Sequence, residues 1–182
     1  VVSTYQSVTG SGQRGINQLL DEEQQASSPR QFYAHAIHRN VLPYGGDFLP
    51  DGYNTEEQKL VDETRKILND PTIAVSATVA RVPVLGGHSE SVNAEFHRDF
   101  DLQQVRLLIA NTKGVVLQDD PSHHIYPMPI NAEGHNEVFV GRLRRDNSQP
   151  NTLNLWIVAD NLRKGAATNA VQILQHLIER KT

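Results

Sequence analysis

Arg81 is a charged residue at a position where the sequence pattern predicts an apolar one. It continues the alternate apolar positions 73, 75, 77 and 79 of a strand predicted over residues 72–84. A guanidinium there can extend past the strand end into water, or it can hold a carboxylate through two parallel hydrogen bonds. The spacing alone leaves both interpretations open.

His88 also interrupts an apolar strand pattern. It follows Gly86-Gly87 and shares one face of a strand predicted over residues 88–97 with Val92 and Ala94. Such a histidine is either a hydrogen-bonded core residue or a general acid–base, because imidazole titrates near neutral pH. The two glycines would let a ligand approach the backbone closely.

Glu56 and Lys59 lie three residues apart on a helix predicted over 56–69, at the edge of its apolar stripe. This spacing places the two side chains on one face of the helix. They form either an ordinary helix ion pair or part of a charged site.

Asp160 and Asn161 precede the last predicted helix, and Arg163 and Lys164 open it. Free backbone N–H groups and basic side chains at a helix start favour a bound anion. A capping aspartate would instead satisfy those N–H groups and leave a solvated charge pair.

The histidine pairs do not indicate a metal site. His123 and His124 are adjacent, so on a strand they would point to opposite faces. His35 and His38 are three residues apart, with no cysteine or nearby carboxylate to complete a ligand set. We therefore expect no bound metal.

The charge balance and the lack of cysteine exclude several classes of function. Lys and Arg total 17 against 21 Asp and Glu, a net charge of -4, which argues against a nucleic-acid-binding surface. Without cysteine, these residues contain no disulfide, thiolate metal site or cysteine nucleophile. No apolar run approaches the ~18 residues that span a bilayer, and no secretory signal opens the chain. We expect a cytoplasmic protein that binds neither nucleic acid nor membrane.

The periodicity of apolar residues predicts one α+β domain, with helices over one face of a single sheet. We expect Thr55 to cap the helix over 56–69, and Val105, Leu108 and Ile109 to be the buried residues of the third helix. The predicted strands are 1–8, 72–84, 88–97, 114–118, 124–129, 137–143 and 153–159, the helices are 14–26, 56–69, 101–111 and 162–180, and 27–53 is mostly loop.

Two further features bear on assembly. Residues 153–158 are apolar on both faces of their strand, which predicts that a second subunit covers the face without helices. The chain opens within a predicted strand and its only methionine is Met128, so we expect a piece of a longer protein.

Taken together and in order, several segments resemble the aspartate-semialdehyde dehydrogenase family. Residues 2–10 resemble the segment after that family's active-site cysteine, and 52–59 resemble its Glu-x-x-Lys helix. Residues 81–90 resemble its arginine and histidine strands, and 154–170 its last strand and helix. The likeness is loose over 17–38, 97–112 and 119–136. These segments read VSTYQSVTG (2–10), GYNTEEQK (52–59), RVPVLGGHSE (81–90) and NLWIVADNLRKGAATNA (154–170).

The resemblance implies a mixed, largely antiparallel sheet similar to the C-terminal domain of glyceraldehyde-3-phosphate-dehydrogenase-like enzymes. Residues 1–160 would form the substrate-binding and dimerisation domain of a homodimer or tetramer. Residues 161–182 would pack on a nucleotide-binding domain, outside this sequence, whose half of the enzyme also supplies the catalytic cysteine. We expect no turnover from this chain alone.

The resemblance also implies the reaction and the residues that serve it. The family interconverts L-aspartate 4-semialdehyde plus phosphate and L-4-aspartyl phosphate with NADP, in lysine, threonine and methionine biosynthesis. The implied roles are catalysis for His88 and Gln6, substrate binding for Gln6, Glu56 and Arg81, phosphate binding for Lys59, and cofactor contact for Thr9, Gly10 and Asn161. Two alternatives stay open: an N-acetyl-glutamyl-phosphate reductase-like enzyme, whose acylated substrate gives Glu56 no cation to bind, and a non-catalytic paralogue that serves as a dimerisation module.

Overall fold

A six-stranded mixed sheet forms the centre of the structure, a computed structural model that describes residues 1–180. The strand order is β2-β1-β3-β6-β5-β4, with parallel pairing in β1/β2 and β4/β5 and antiparallel pairing in the other three pairs. The predicted α+β fold with a largely antiparallel sheet is confirmed. The strands are β1 (Val2–Gln6), β2 (Ala77–Arg81), β3 (His88–Glu95), β4 (Val115–Leu117), β5 (Val138–Arg145) and β6 (Thr152–Ala159), and the helices are α1 (Gly12–Glu23), α2 (Thr55–Leu68), α3 (Leu102–Ala110), α4 (Pro129–Ala132) and α5 (Thr168–Glu179).

Helix α2 lies beside β2, which is an edge strand. The Asn54 side chain accepts hydrogen bonds from the backbone N–H groups of Glu56 and Glu57, and Glu57 accepts one from Asn54 N in return. The other carboxylate oxygen of Glu57 accepts from Val79 N at 3.0 Å, so it satisfies an outward-facing N–H group of β2. Asn54 is therefore the cap, and the prediction that Thr55 caps this helix was wrong.

Helix α3 packs on β5 and β6 through one apolar stripe. Val105 and Ile109 join the cluster built around Val140 and Leu153. Leu108 lies off this stripe and is 69% exposed, so the prediction that it is buried was wrong. A helix of nine residues turns only one narrow face toward the sheet. The three consecutive apolar residues at 107–109 do not show which of them lies on that face.

The predicted loop over 27–53 contains no regular helix or strand, yet it contributes to a core. Tyr33, Ile37 and Leu42 pack against Leu19 of α1 and Val8. Polar side chains of α1 satisfy the loop backbone: Gln18 Oε1 accepts from Phe32 N and Tyr33 N, and Glu22 Oε2 accepts from Ile37 N and His38 N. These bonds replace the ones that regular structure would have made.

The strand predicted over 124–129 was wrong. The segment is irregular and leads into the one-turn helix α4, because Pro127 and Pro129 cannot donate to a strand ladder. Ala132 packs on Phe139 and Val158, on the face of the sheet opposite to α3. The indole N–H of Trp156 donates to Pro127 O at 3.1 Å. This segment therefore covers part of the second face.

The last helical segment begins with a π-helical turn over Arg163–Ala167 and continues as α5. Its large apolar residues are more than half exposed and pack on no core cluster among residues 1–180. Residues 181–182 of the predicted C-terminal segment lie outside the described residues. Within the described part of the chain, every helix is too short or too polar to cross a membrane.

Candidate active site

Strand register brings Gln6, Arg81 and His88 to one end of the sheet. Gln6 is the last residue of β1 and pairs with Arg81, the last residue of β2. Tyr5 pairs with Ser89 in the antiparallel β1/β3 ladder, so the next step places Gln6 opposite His88. Residues paired across adjacent strands point to the same face. The structure thus brings these three predicted site residues together on one face.

Arg81 is buried, with 7% of its surface exposed, so it does not extend into water. Its Nη1 donates to the carbonyl oxygen of Ser7 at 2.8 Å, whereas its Nε is buried and has no hydrogen-bond partner in the part of the chain that the structure describes. Burial lowers the pKa of the guanidinium, and the nearby Tyr33, Glu56 and Tyr44 partly oppose this shift. Among the described residues no carboxylate forms an ion pair with Arg81. A buried cation without an ion partner favours an incoming anion.

Gly10 allows Arg81 and His88 to approach the same small space. A Cβ atom added to Gly10 would lie 2.7 Å from Nη1 of Arg81 and 3.0 Å from Nε2 of His88. Contacts of this length displace one or both side chains. The absence of a side chain at Gly10 therefore leaves room for Arg81 and His88, whether or not Gly10 itself contacts a cofactor.

His88 is a hydrogen-bonded, largely buried imidazole. Its Nδ1 lies 3.1 Å from Ser7 N, which donates to it, and 3.1 Å from Ser7 Oγ. Burial, followed by the positive charge of Arg81, lowers the pKa of His88 from 6.5 to about 4, although a backbone hydrogen bond with Gly87 and the charge of Asp160 act in the opposite direction. The ring is neutral at pH 7, and its Nε2 borders the space beside Gly10.

A polar network connects His88 to Asn161. Asn161 Oδ1 accepts from Ser7 Oγ and Thr9 Oγ1 at 3.1 Å each, and from Gly87 N at 3.2 Å. A backbone N–H group can only donate, so the carbonyl side of the Asn161 amide faces this network. Its Nδ2 remains as a donor on the other side.

Asp160 caps the turn that starts the last helical segment. Its Oδ1 accepts from Leu162 N and Arg163 N, and its Oδ2 accepts from Gly134 N. Burial alone would raise the pKa of Asp160, but these backbone N–H groups hold it below its usual value. The capped-helix interpretation is therefore correct, since the Asp160 carboxylate already occupies the anion-binding end.

Glu56 and Lys59 form the predicted ion pair on the first turns of α2. Lys59 Nζ lies 3.0 Å from Glu56 Oε1, and the Lys59 side chain is 55% exposed. The N-terminus of α2 is fixed by Glu56 N, which donates to Gly45 O at 3.1 Å. Gly45 in turn lies so close to Val79 that it has no room for a side chain. This packing places Glu56 beside the strand that carries Arg81.

The histidine pairs form no metal centre in the described part of the chain, where no three histidine, aspartate or glutamate side chains cluster. His123 pairs instead with Asp120, through Nδ1 and Oδ2 at 2.7 Å.

Three residues at the site were missed by the sequence reasoning. Ser7 is fully buried and touches His88, and Tyr33 and Tyr44 lie near enough to Arg81 to raise the pKa of its guanidinium against the effect of burial. Ser7 could have been found, because it follows Gln6 where the strand ends and the alternation of faces stops. The two tyrosines lie in the aperiodic 27–53 segment, where no periodicity could indicate their position.

The fold and this cluster at the ends of the three strands are those of a dehydrogenase domain. The family model described as "Semialdehyde dehydrogenase, dimerisation domain" matches residues 1–164, and the chain belongs to this family. The predicted resemblance is therefore confirmed.

Named relatives agree with this assignment. The chain is 46% identical to the aspartate-semialdehyde dehydrogenase of Aquifex aeolicus over 98% of its own length and 54% of that protein. It is 48% identical to the enzyme of the same name from Legionella pneumophila, over 97% of this chain and 52% of that protein. The crystal structure of aspartate semialdehyde dehydrogenase II from Vibrio cholerae, complexed with ASA, superposes with a TM-score of 0.91 at 42% identity and covers 98% of this chain and 54% of that one. The chain thus spans about half the length of its relatives.

Proposed function

We propose that the chain is the C-terminal substrate-binding and dimerisation part of an aspartate-semialdehyde dehydrogenase. The longer enzyme would convert L-aspartate 4-semialdehyde and phosphate to L-4-aspartyl phosphate, reversibly and with NADP. One observation carries the proposal: a buried guanidinium with no ion partner within residues 1–180 borders the same space as a neutral imidazole. A substrate with a carboxylate and a reactive carbonyl fits both groups.

Arg81 would bind the α-carboxylate of the substrate. Its Nη1 is held by Ser7 O, which fixes the plane of the guanidinium and leaves other N–H groups to donate. Glu56 would bind the substrate ammonium, in competition with Lys59, and Gln6 would orient the substrate between Arg81 and His88.

Lys59 would supply positive charge for phosphate. Its ammonium is exposed and bonded only to Glu56 among the contacts of the described residues. A substrate ammonium that engages Glu56 would release Lys59 toward the second substrate. The two substrates would thereby be recognised by adjacent groups of one helical turn.

His88 would act as the acid–base group at the reacting carbonyl, where the catalytic cysteine of the other half of the enzyme forms the covalent intermediate. NADP, when bound, supplies the acceptor for the hydride. Asn161 fits a role in holding its carboxamide, because Oδ1 is engaged internally and Nδ2 is left as a donor. Thr9 and Gly10 lie beside Asn161 and His88 respectively and would complete the contact.

We also propose a homodimer, or a tetramer built from such dimers, in the cytoplasm. The second copy would cover the face of the sheet that carries Trp156 and Tyr5, whose rings lie 5.3 Å apart. Tyr126, Met128 and Arg142 extend this face into a shallow groove next to Trp156. The exposed apolar side of α5 would pack on the nucleotide-binding domain. The pathway served would be lysine, threonine and methionine biosynthesis.

The test is an assay of the longer protein that contains this chain. We expect NADP reduction that requires both L-aspartate 4-semialdehyde and phosphate, a dimer mass in light scattering, and no turnover by the 182-residue chain alone. Turnover only of N-acetyl-glutamate semialdehyde would support the reductase alternative. A dimer without either activity would support the non-catalytic paralogue.

A further inference from the structure

The segment that connects the two proposed substrate-binding residues carries an aromatic side chain with no role in the function proposed above. Tyr44 is 37% exposed. It lies between Leu42, whose backbone is bonded to that of Arg81, and Gly45, whose backbone is bonded to that of Glu56. Residues 42–45 therefore lead from the carboxylate-binding residue to the ammonium-binding residue, and Tyr44 is the bulky side chain on the way.

We propose that Tyr44 is a specificity-determining residue: its ring separates the space beside Arg81 from the space beside Glu56 and excludes substrates whose amine carries an acyl group. The proposal deepens the function proposed above, and it rests on the roles assigned there to Arg81 and Glu56. It names the side chain that makes the site select a free amino group.

Hydrogen bonds connect the backbone of Tyr44 directly to that of Arg81. The carbonyl oxygen of Leu42 accepts from Arg81 N and from Tyr44 N, at 2.8 Å each. The bond to Tyr44 N spans only Pro43, so the chain turns sharply there and does not continue along β2. Leu42 N donates to Arg81 O at 3.0 Å and completes an antiparallel bridge. Tyr44 thus leaves the sheet edge at the residue that would bind the carboxylate.

A glycine brings the other end of the segment against helix α2. Gly45 O accepts from Glu56 N at 3.1 Å. A Cβ atom added to Gly45 would overlap with Val79 Cγ1 and lie 3.1 Å from Glu56 Cβ. Gly45 therefore lets the backbone reach α2 without a side chain, and Tyr44, the residue before it, supplies the bulk.

The phenol of Tyr44 is turned toward the site. Burial raises the pKa of Tyr33 and Tyr44 adds to that shift, whereas burial lowers the pKa of Arg81 and Tyr44 is among the groups that oppose it. A phenol directed into solvent, away from both buried groups, would not affect them in this way. The ring also packs against that of Phe48, with centroids 6.0 Å apart, which helps to hold its orientation.

Charge alone would discriminate poorly between a free and an acylated amine. An acylated nitrogen is uncharged and gives Glu56 no cation to bind. Glu56 already has one in Lys59, however, at 3.0 Å, and its side chain is 35% exposed. Its carboxylate therefore stays paired and solvated when an uncharged amide arrives, and the penalty is small. Steric exclusion by a ring does not depend on charge, and it acts against the acylated substrate alone.

The test compares L-aspartate 4-semialdehyde with its N-acetyl derivative as substrates of the longer protein. We expect wild type to prefer the free amine. Tyr44→Ala should lower the ratio of the two kcat/KM values about 10- to 100-fold, chiefly by faster turnover of the acetylated substrate, whereas Tyr44→Phe keeps the ring and should keep the ratio within about threefold. Tyr53→Ala is the matched control, because Tyr53 is an aromatic residue of the same loop and is 40% exposed.

An unchanged ratio in Tyr44→Ala, or an equal fall in Tyr44→Phe, would overturn the proposal. If circular dichroism shows that Tyr44→Ala does not fold, Tyr44→Leu supplies the same measurement with a smaller side chain in place of the ring. The two proposals fail separately. A wild-type preference for the acetylated substrate would overturn the proposed function, whereas a wild-type preference for the free amine that survives in Tyr44→Ala would overturn only the role of Tyr44.

Discussion

Nη1 of Arg81 donates a hydrogen bond to the carbonyl oxygen of Ser7 at 2.8 Å, although 74 residues separate them in the sequence. The bond crosses from the end of β2 to the residue that follows β1. It fixes the orientation of a guanidinium that has no ion partner among the described residues. The orientation of the remaining N–H groups is thus set before any substrate arrives.

Arg81→Lys should reduce activity in the full-length enzyme more than its conserved charge suggests. A planar guanidinium can hold a carboxylate with two parallel bonds while a further N–H group contacts Ser7 O, whereas an ammonium is a point charge. Losing a charge-assisted bond at a buried site costs ~1.5–3 kcal/mol, or about 10- to 150-fold in kcat/KM. Steady-state kinetics measure this, with the exposed Arg98→Lys as control. Activity within twofold of wild type would place the carboxylate clamp elsewhere.

His88→Asn should separate chemistry from binding. The amide is polar and smaller, but it neither reproduces the position of Nε2 nor exchanges a proton as imidazole does. We expect kcat to fall by ~10²–10⁴ while KM changes little. The exposed His124→Asn is the matched control, with no expected effect. A change confined to KM would make His88 a binding residue only.

The sequence predicted most of the sheet and the convergence of Gln6, Arg81 and His88. The alternation of apolar and polar residues along a strand indicates which face each residue occupies, and it does not depend on distant parts of the chain. It did not predict the environment of these residues. Leu42 exchanges two backbone hydrogen bonds with Arg81, and Leu42 packs in one cluster with Tyr33, whose N–H group donates to Gln18 Oε1. Both residues lie in a segment without periodicity, so their positions could not be predicted from the sequence.

Local signals also failed where neighbouring residues competed for one role. Asn54 and Thr55 are both good caps, and only the reciprocal bond with Glu57 decides between them. The apolar residues within 124–129 suggested a strand, but the two prolines and the packing of Ala132 on Val158 produced an irregular segment. The position of Ser7 after the end of β1 could be read from the sequence, but its contacts with Arg81, His88 and Asn161 are long-range and could not.

The depressed pKa of His88 predicts a loss of stability in mild acid. The unfolded imidazole binds a proton as the pH falls through 6.5, whereas the folded one resists until about 4. The unfolded state then holds more protons, so the free energy of unfolding falls as the pH is lowered between these values. Moving from pH 7 to pH 5 should cost about 2 kcal/mol through this group.

Urea unfolding of the chain at pH 7 and pH 5 measures this loss. His88→Asn is the control, since it lacks the group and retains every other titration, including that of Glu90, whose pKa burial raises. Between pH 7 and pH 5, we expect the free energy of unfolding of the wild type to fall by about 2 kcal/mol relative to that of the variant. An unchanged difference would contradict the depressed pKa.

Asp119, in the segment that follows β4, should be among the most stabilising charged residues that contact the sheet. Its side chain is 1% exposed, pairs with Arg106 at 2.6 Å, and accepts from Arg142 N and Leu143 N. These bonds hold the bulge of β5, where the register against β6 shifts between Gly141 and Arg144. Arg142 and Arg144 line the groove beside Trp156 at which we place the second subunit.

Asp119→Asn keeps the size of the side chain but turns an amide N–H₂ group toward donors and removes the partner of Arg106. We expect a loss of about 3 kcal/mol in the free energy of unfolding and a weaker dimer. The control is Asp99→Asn, which breaks a pair with Arg145 of similar length, 2.8 Å, but with side chains 73% and 41% exposed. Water replaces such an exposed contact at little cost, so its stability and dimer should match wild type. Equal stabilities of the two variants in denaturant titrations would show that the bulge does not depend on the buried pair.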